Sequence, residues 1–263
     1  MGDAKSILLK PISRAKADTC VRDWHYSGKP YPKSQLHFGV YYGGELGGVL
    51  AYGDPLDRRK VLGLVKDTPW GGMVELNRMA LAPHLPKNCE SRALAVSLRL
   101  LKKYAPQVQW ALSFADATQC GDGTIYRASG WLLTQIKGNT CLWRAPSGEV
   151  FSDVGLRTSK SMRAKVHPWL EAVLERTVLP EEVGRPSVWR QAGLEPLQGH
   201  QLRYLYPLRA DVIPRMTVPS LPYSAIAEAG AGMYLGEPRL GPMEELAIPS
   251  QDRQFDPDPE ALP

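Results

Sequence analysis

The sequence predicts an α+β fold, a mixed sheet with helices packed on it, and three observations carry that reading. Short runs rich in aromatic and β-branched residues recur through the first 150 positions, as at 36–42. A glycine pair, Gly43-Gly44, separates two such runs in the manner of a hairpin turn. One long segment, 88–104, sets Leu94, Leu98 and Leu101 on a single helical face. Mixed strands with a few helices between them define an α+β sheet domain over about residues 5–150.

Taken in order, residues 7–12 are a short apolar run suited to an edge strand, and 13–24 are polar with helix-compatible spacing. The hairpin arms are 36–42 and 45–52, and 74–81 is a further strand after Gly71-Gly72. Pro83 and Pro86 break the chain before Asn88, read as the N-cap of the long helix. Arg92, Arg99, Lys102 and Lys103 fall largely off its apolar face and give it a basic flank. Residues 109–115 are a buried strand ending at Asp116, followed by a turn over 118–123, a short helix over 125–129, and strands near 131–136 and 141–144.

Beyond the sheet domain, Arg157, Lys160, Arg163 and Lys165 cluster ahead of a helix read from Pro168 to 178. From Pro207 onward prolines recur and periodicity is lost, as expected of an extended arm with a disordered acidic end. The chain therefore divides into a sheet domain (1–150), a basic helical extension with a closing strand (151–206) and a Pro-rich arm with an acidic tail (207–263).

With 43% hydrophobic and 22% charged residues, the 263-residue chain buries a sizeable core and is not a disordered protein. From Pro242 onward, six acidic residues face Arg253 alone, a net −5, so the rest of this +5 chain carries +10. A basic body suits a polyanionic partner as well as a plain solvated surface. Cys20, Cys89, Cys120 and Cys141 lie far apart and read as reduced thiols rather than a zinc site or a disulfide framework. No apolar run approaches the roughly 18 residues of a membrane span, so the expected location is the cytoplasm. Met1-Gly2 with Ser6 matches a myristoylation pattern without a second membrane signal and is read as chance. A P-loop, G-x-G-x-x-G, H-E-x-x-H, G-x-S-x-G and the zinc-deaminase signature are all missing, which removes the usual support for nucleotide hydrolysis, nicotinamide chemistry, triad hydrolysis and zinc deamination.

Three clusters bear chemistry. His25-Tyr26, followed by Ser27-Gly28, sits in a turn after a helix, where side chains reach a cleft or serve the turn itself. Asp116 ends a buried strand, where desolvation makes a carboxylate a base, or where the same oxygen caps a turn. Gly121-Asp122-Gly123-Thr124 opens the short helix carrying Tyr126, which reads either as a site residue or as a core aromatic.

These residues, in order and spacing, add up to a resemblance. His25-Tyr26-Ser27, Glu75-Leu76-Asn77-Arg78, Lys87-Asn88-Cys89-Glu90-Ser91-Arg92, Leu98-Arg99-Leu100-Leu101-Lys102-Lys103, Asp116 and Gly123-Thr124-Ile125-Tyr126 resemble the Mom family of phage DNA modification proteins. The likeness covers about residues 20–150, and Gln201-Leu202-Arg203-Tyr204-Leu205-Tyr206 is similar to that family's closing strand.

The resemblance implies a GNAT-like, mostly antiparallel sheet flanked by helices. It also implies a DNA-modifying transferase that adds a carbamoylmethyl (acetamido) group to adenine N6, against host restriction, in the host cytoplasm. The family's functional positions fall on His25, Tyr26, Arg78, Ser91, Asp116 and Tyr126, with Tyr42 a looser match. GNAT enzymes hold the coenzyme A pyrophosphate on a glycine-bearing loop at a helix N-terminus. The matching stretch here has no glycine and carries Glu90, which argues against acetyl-coenzyme A, while Arg78, Lys87, Arg92 and Ser91 remain for another small-molecule donor. Iron held by His25, Tyr26, Asp116 and Tyr126 is one version of the chemistry, and a metal-free site with Asp116 as proton acceptor is the other. Double-stranded DNA is the expected partner, gripped through Arg99, Lys102, Lys103, Arg157, Lys160, Arg163 and Lys165. An N-acetyltransferase of a small amine or protein, and a non-catalytic DNA-binding protein, are the alternative readings.

Overall fold

The strands and helices follow the chain as β1 (Leu8–Pro11), α1 (Arg14–Trp24), β2 (Ser34–Tyr42), β3 (Glu45–Gly53), α2 (Arg58–Leu62), β4 (Met73–Leu81), α3 (Cys89–Tyr104), β5 (Trp110–Asp116), α4 (Thr124–Ala128) and β6 (Leu132–Asn139). A second group follows: β7 (Leu142–Arg144), β8 (Val150–Ser152), α5 (Asp153–Thr158), α6 (Lys160–Leu174), α7 (Pro186–Gln191) and β9 (Glu195–Pro196). The chain then returns through β10 (Gly199–Pro207) and ends its regular structure at α8 (Ser224–Glu228) and a minute hairpin, β11 (Met233–Tyr234) with β12 (Glu237–Pro238). This computed structural model describes residues 4–118, 121–139, 141–231, 233–234 and 237–238; Cys120 and the acidic residues beyond Pro242 lie outside them.

β1-β2-β3-β4-β5-β10-β6 is the order of the main sheet. Every neighbouring pair is antiparallel except β4 and β5. Gly43 and Gly44 close the β2–β3 hairpin with φ of 60° and 90°, a backbone that side-chain-bearing residues rarely adopt. Successive residues of a strand face opposite sides, and β3 shows it: Val49 packs with Ala17, Cys20 and Val21 of α1, whereas Leu50 packs with Leu94, Leu98 and Leu101 of α3. Helices thus cover both faces, and the fold is a mixed α+β one with a mostly antiparallel sheet.

α3 differs from expectation at its start. Asn88 adopts a left-handed backbone (φ 70°) with no side-chain cap, and Ser91 Oγ donates instead to the Asn88 carbonyl. α6 also differs: it begins at Lys160, capped by Ser159 accepting from Met162 N–H, and Pro168 lies inside it rather than at its head. Proline is well placed in a first helical turn, which is why it was read as a start. Here the helix tolerates it in exchange for burying Met162, Val166 and Leu170.

Residues 141–197 hold a separate core. β8-β7-β9 form a small antiparallel sheet, and Trp143, Phe151, Leu156, Val166, Leu170 and Trp189 pack with one another under α5, α6 and α7. This module joins β6 to β10, which are neighbours in the main sheet. The segment after β10 crosses the main domain, bridging Met216 to Val65 and Leu221 to Leu133, and buries Ile226 and Ala231 in the main core.

Candidate active site

The site is a consequence of how β4 and β5 meet. They pair in parallel only from Met73–Glu75 to Trp110–Leu112. Beyond that point the Leu76 carbonyl takes the hydroxyl of Ser113 (3.2 Å), and with that hydrogen committed, the Tyr126 hydroxyl donates to Ser113 Oγ (2.8 Å). A register shift between β3 and β4 inserts Asn77 as an extra residue, since Tyr52 faces Leu76 and Ala51 faces Arg78. Bulges re-aim side chains, and four consecutive residues, Leu76 to Met79, line the resulting opening.

The cleft measures about 330 Å³, at the small end of the range for ligand pockets, roughly 300–1,000 Å³, which is room for one base or a small donor. Besides β4, its walls are His25 and Tyr26 after α1, Glu90 in the first turn of α3, Phe114 and Ala115 of β5, and 122–126 at the start of α4. His25, Tyr26, Arg78 and Tyr126, all singled out in the sequence, therefore share one cavity. Asp116 is two residues past Phe114, on the same strand face, and its Oδ1 accepts from Thr118 N–H (3.0 Å); the described cleft lining stops at Ala115.

Each side chain is held from behind. The rings of His25 and Tyr26 stack with centroids 4.3 Å apart. His25 Nδ1 receives the Ser27 peptide N–H (3.1 Å) and lies 2.8 Å from Ser27 Oγ, which itself accepts from Lys29 N–H (3.2 Å). Burial of the ring, reinforced by the Arg78 guanidinium, pushes the His25 pKa down to about 3, so the imidazole is neutral. Arg78 is buried; its Nε donates to the Lys29 carbonyl (2.9 Å) and its Nη1 to the Asn77 carbonyl (2.8 Å), and it lies over the Tyr31 ring at 5.2 Å. Tyr126 stacks on Tyr204 (4.9 Å) and meets Trp131 edge-on (5.3 Å), so it is both a core aromatic and a wall of the cleft.

Glu75 sits just below the opening. Burial raises its carboxyl to about 7, opposed by the hydrogen bond from Asn77 Nδ2 (3.2 Å) and by Arg78. A folded-state pKa above the ordinary 4.5 means the native chain holds this proton more tightly than the unfolded one, so stability is lost as pH rises from 4.5 through 7. Glu75→Gln keeps the acceptor for Asn77 and removes the charge. Its stability, followed by denaturant unfolding, is expected to gain on the parent between those pH values, by an amount on the order of 3 kcal/mol.

The remaining candidates spread out. Lys87 is exposed ahead of α3, Ser91 and Arg92 follow Glu90 in its first turns, and Tyr42 ends β2 packed on the main core, outside the described lining. Arg99, Lys102 and Lys103 lie roughly 13–20 Å along α3 from Glu90, at 1.5 Å per residue. Arg157 pairs with Asp153, Lys165 with Glu149 (2.7 Å), and Arg163 donates to the Pro180 carbonyl. Lys160 and Arg163 also border a separate hollow of about 290 Å³ on α6. Ser113 and Phe114 were not anticipated, and Asn77 entered only as part of the Glu75–Arg78 motif; a lone serine in the apolar run of β5 was the available signal for the first.

A mixed, mostly antiparallel sheet parted between its two parallel strands, with helices on both faces, defines an α+β fold with a small-ligand cleft at the strand ends. The Mom protein family matches residues 6–225, and the chain belongs to that family. The methylcarbamoylase mom of Escherichia phage Mu is 38% identical over 129 residues, which are 49% of this chain and 53% of that protein, so the match spans about half the length of the relative. Among solved structures, a tandem GNAT protein from the clavulanic acid biosynthesis pathway is similar at TM-score 0.44 and 10% identity, over 77% of this chain and 99% of that one. The ribosomal-protein-S18-alanine N-acetyltransferase of Escherichia coli is similar at TM-score 0.39 and 9% identity, over 77% and 94%.

Of the four residues expected to hold iron, His25, Tyr26 and Tyr126 line the cleft, and Asp116 follows Ala115, the last lining residue of β5. His25 Nδ1 receives a peptide N–H, the Tyr126 hydroxyl lies 2.8 Å from Ser113 Oγ, and Asp116 Oδ1 accepts from Thr118 N–H. Among the described residues, no three His, Cys, Asp or Glu side chains gather as a ligand set.

Proposed function

We propose that the chain is a DNA-modifying transferase that adds a carbamoylmethyl group to the N6 amine of adenine, acting in a phage-infected host to shield phage DNA from restriction. The observation that carries this reading is the single cleft that gathers His25, Tyr26, Arg78 and Tyr126. Family membership and the methylcarbamoylase name of the phage Mu relative support the class of group transferred.

The adenine amine is a poor nucleophile because its lone pair is delocalised into the ring, so positioning and proton removal must both be supplied. The base leaves the duplex stack, at a cost of a few kcal/mol that phosphate contacts by the basic body offset. Tyr26 and Tyr126, as walls of the cleft, orient the purine. The N6 amine attacks the CH2 carbon of the donor as the bond from that carbon to the rest of the donor breaks, the donor remnant leaving with the electron pair, and Asp116, next to the lining residue Ala115, takes the N6 proton. Glu90 stands in the first turn of α3, where an acetyl-coenzyme A enzyme would seat its pyrophosphate, and this charge disfavours that donor.

Mass spectrometry of nucleosides from plasmid DNA of cells expressing the chain tests the proposal. The expected species is deoxyadenosine carrying a CH2CONH2 group. Unmodified nucleosides together with acetyl transfer to a free amine would replace this reading with an N-acetyltransferase, and unmodified nucleosides with salt-sensitive DNA binding would replace it with a binding protein.

A further inference from the structure

We propose that Ser27 locks His25 in the tautomer that carries its proton on Nε2, so that the cleft offers its ligand a neutral hydrogen-bond donor and receives there an uncharged acceptor atom. This deepens the DNA-modifying reading and rests on it for the identity of the ligand: a purine ring nitrogen or the carboxamide oxygen of the transferred group.

The argument is a hydrogen count. A peptide N–H has a fixed hydrogen, so the nitrogen it meets, Nδ1, presents a lone pair. Ser27 Oγ accepts from the fixed hydrogen of Lys29 N–H and lies 2.8 Å from the same Nδ1, so its own hydrogen points to the ring. Both donors converge on one nitrogen. Ser27 is fully buried, and the loop that carries it is tied to β4 through Arg78 and the Lys29 carbonyl, so neither donor is free to turn away. A neutral imidazole bears one proton, which then resides on Nε2.

Nε2 is also the ring nitrogen with room for a ligand. Among the described residues it has no hydrogen-bond partner, it is not sealed from solvent, and His25 lines the cleft. Two roles follow for this atom. It polarises an acceptor without bringing a charge, and it has no lone pair with which to take a proton or hold a cation. Ser27 is accordingly a positioning residue acting through His25.

Long-range proton–nitrogen NMR on the full chain with isotope-labelled histidine reads the tautomer directly, with the His25 signals assigned by their loss in His25→Gln. The expected result is a pyridine-type Nδ1 and a pyrrole-type Nε2 at neutral pH, unmoved by added zinc ion. In Ser27→Ala, which removes the hydroxyl and retains the peptide N–H, the Nδ1 resonance is expected to shift as it loses one of two donors. A proton on Nδ1, two pyrrole-type nitrogens, an Nδ1 indifferent to Ser27→Ala, or displacement of the Nε2 proton by zinc would overturn the proposal. The measurement uses neither DNA nor donor, so a locked tautomer alongside unmodified DNA would sink the proposed reaction and leave this inference standing.

Discussion

Trp189→Ala is expected to destabilise the chain by about 3–5 kcal/mol, the largest single effect foreseen for its stability. Trp189 is fully buried, its Nε1 donates to the Val183 carbonyl, and it meets Trp143 edge-on at 5.1 Å. Its removal empties the centre of the core formed by residues 141–197. That core shares no buried member with the main one, so the loss should fall first on the inserted module. Urea unfolding followed by hydrogen exchange checks this: amides of α5–α7 should exchange early while those of β2–β5 stay protected. Loss of protection across the whole chain in one step would show that the module and the sheet unfold as a unit.

Gly123→Ala is expected to be the most damaging small change at the cleft, with a loss of about 2–4 kcal/mol. Gly123 has φ of 71°, and an added Cβ would lie 2.6 Å from a ring carbon of Tyr204. Tyr204 cannot simply yield, because its hydroxyl donates to the Asp122 carbonyl (2.6 Å) and its face stacks on Tyr126. Displacing it moves a wall of the site. Chemical denaturation measures the stability loss, and a variant within about 0.5 kcal/mol of the parent would show that this turn relaxes freely.

Local chemistry made much of the fold readable in advance. Gly43-Gly44 announces the β2–β3 hairpin because few other residues take positive φ, and Leu94, Leu98 and Leu101 announce α3 because one face must be buried. What escaped is non-local. The parallel register that ends at Glu75 and Leu112, and the bulge at Asn77, depend on strands distant in sequence, and they shape the opening between β4 and β5. Pro168 suggests a helix start for a related reason: its cost inside α6 is offset by Met162, Val166 and Leu170, which pack with Trp143 and Trp189, contacts no local pattern displays.

The candidate site was legible in the same uneven way. His25, Tyr26, Arg78 and Tyr126 were named from the sequence and do converge. Glu90 entered only as an obstacle to an anion, yet it lines the cavity; Ser27 was noted beside His25 without the two hydrogen bonds that make it matter. Hydrogen-bond direction is a property of the folded loop.

The most direct test of the central claim, that one cleft between β4 and β5 performs the transfer, is the yield of modified adenine from DNA of cells expressing His25→Ala beside the parent. A loss of at least about a hundredfold, as expected for removing one preorganised hydrogen-bond donor, with the unfolding midpoint preserved, is the predicted result. Modified adenine at the parental level from the folded variant would contradict it.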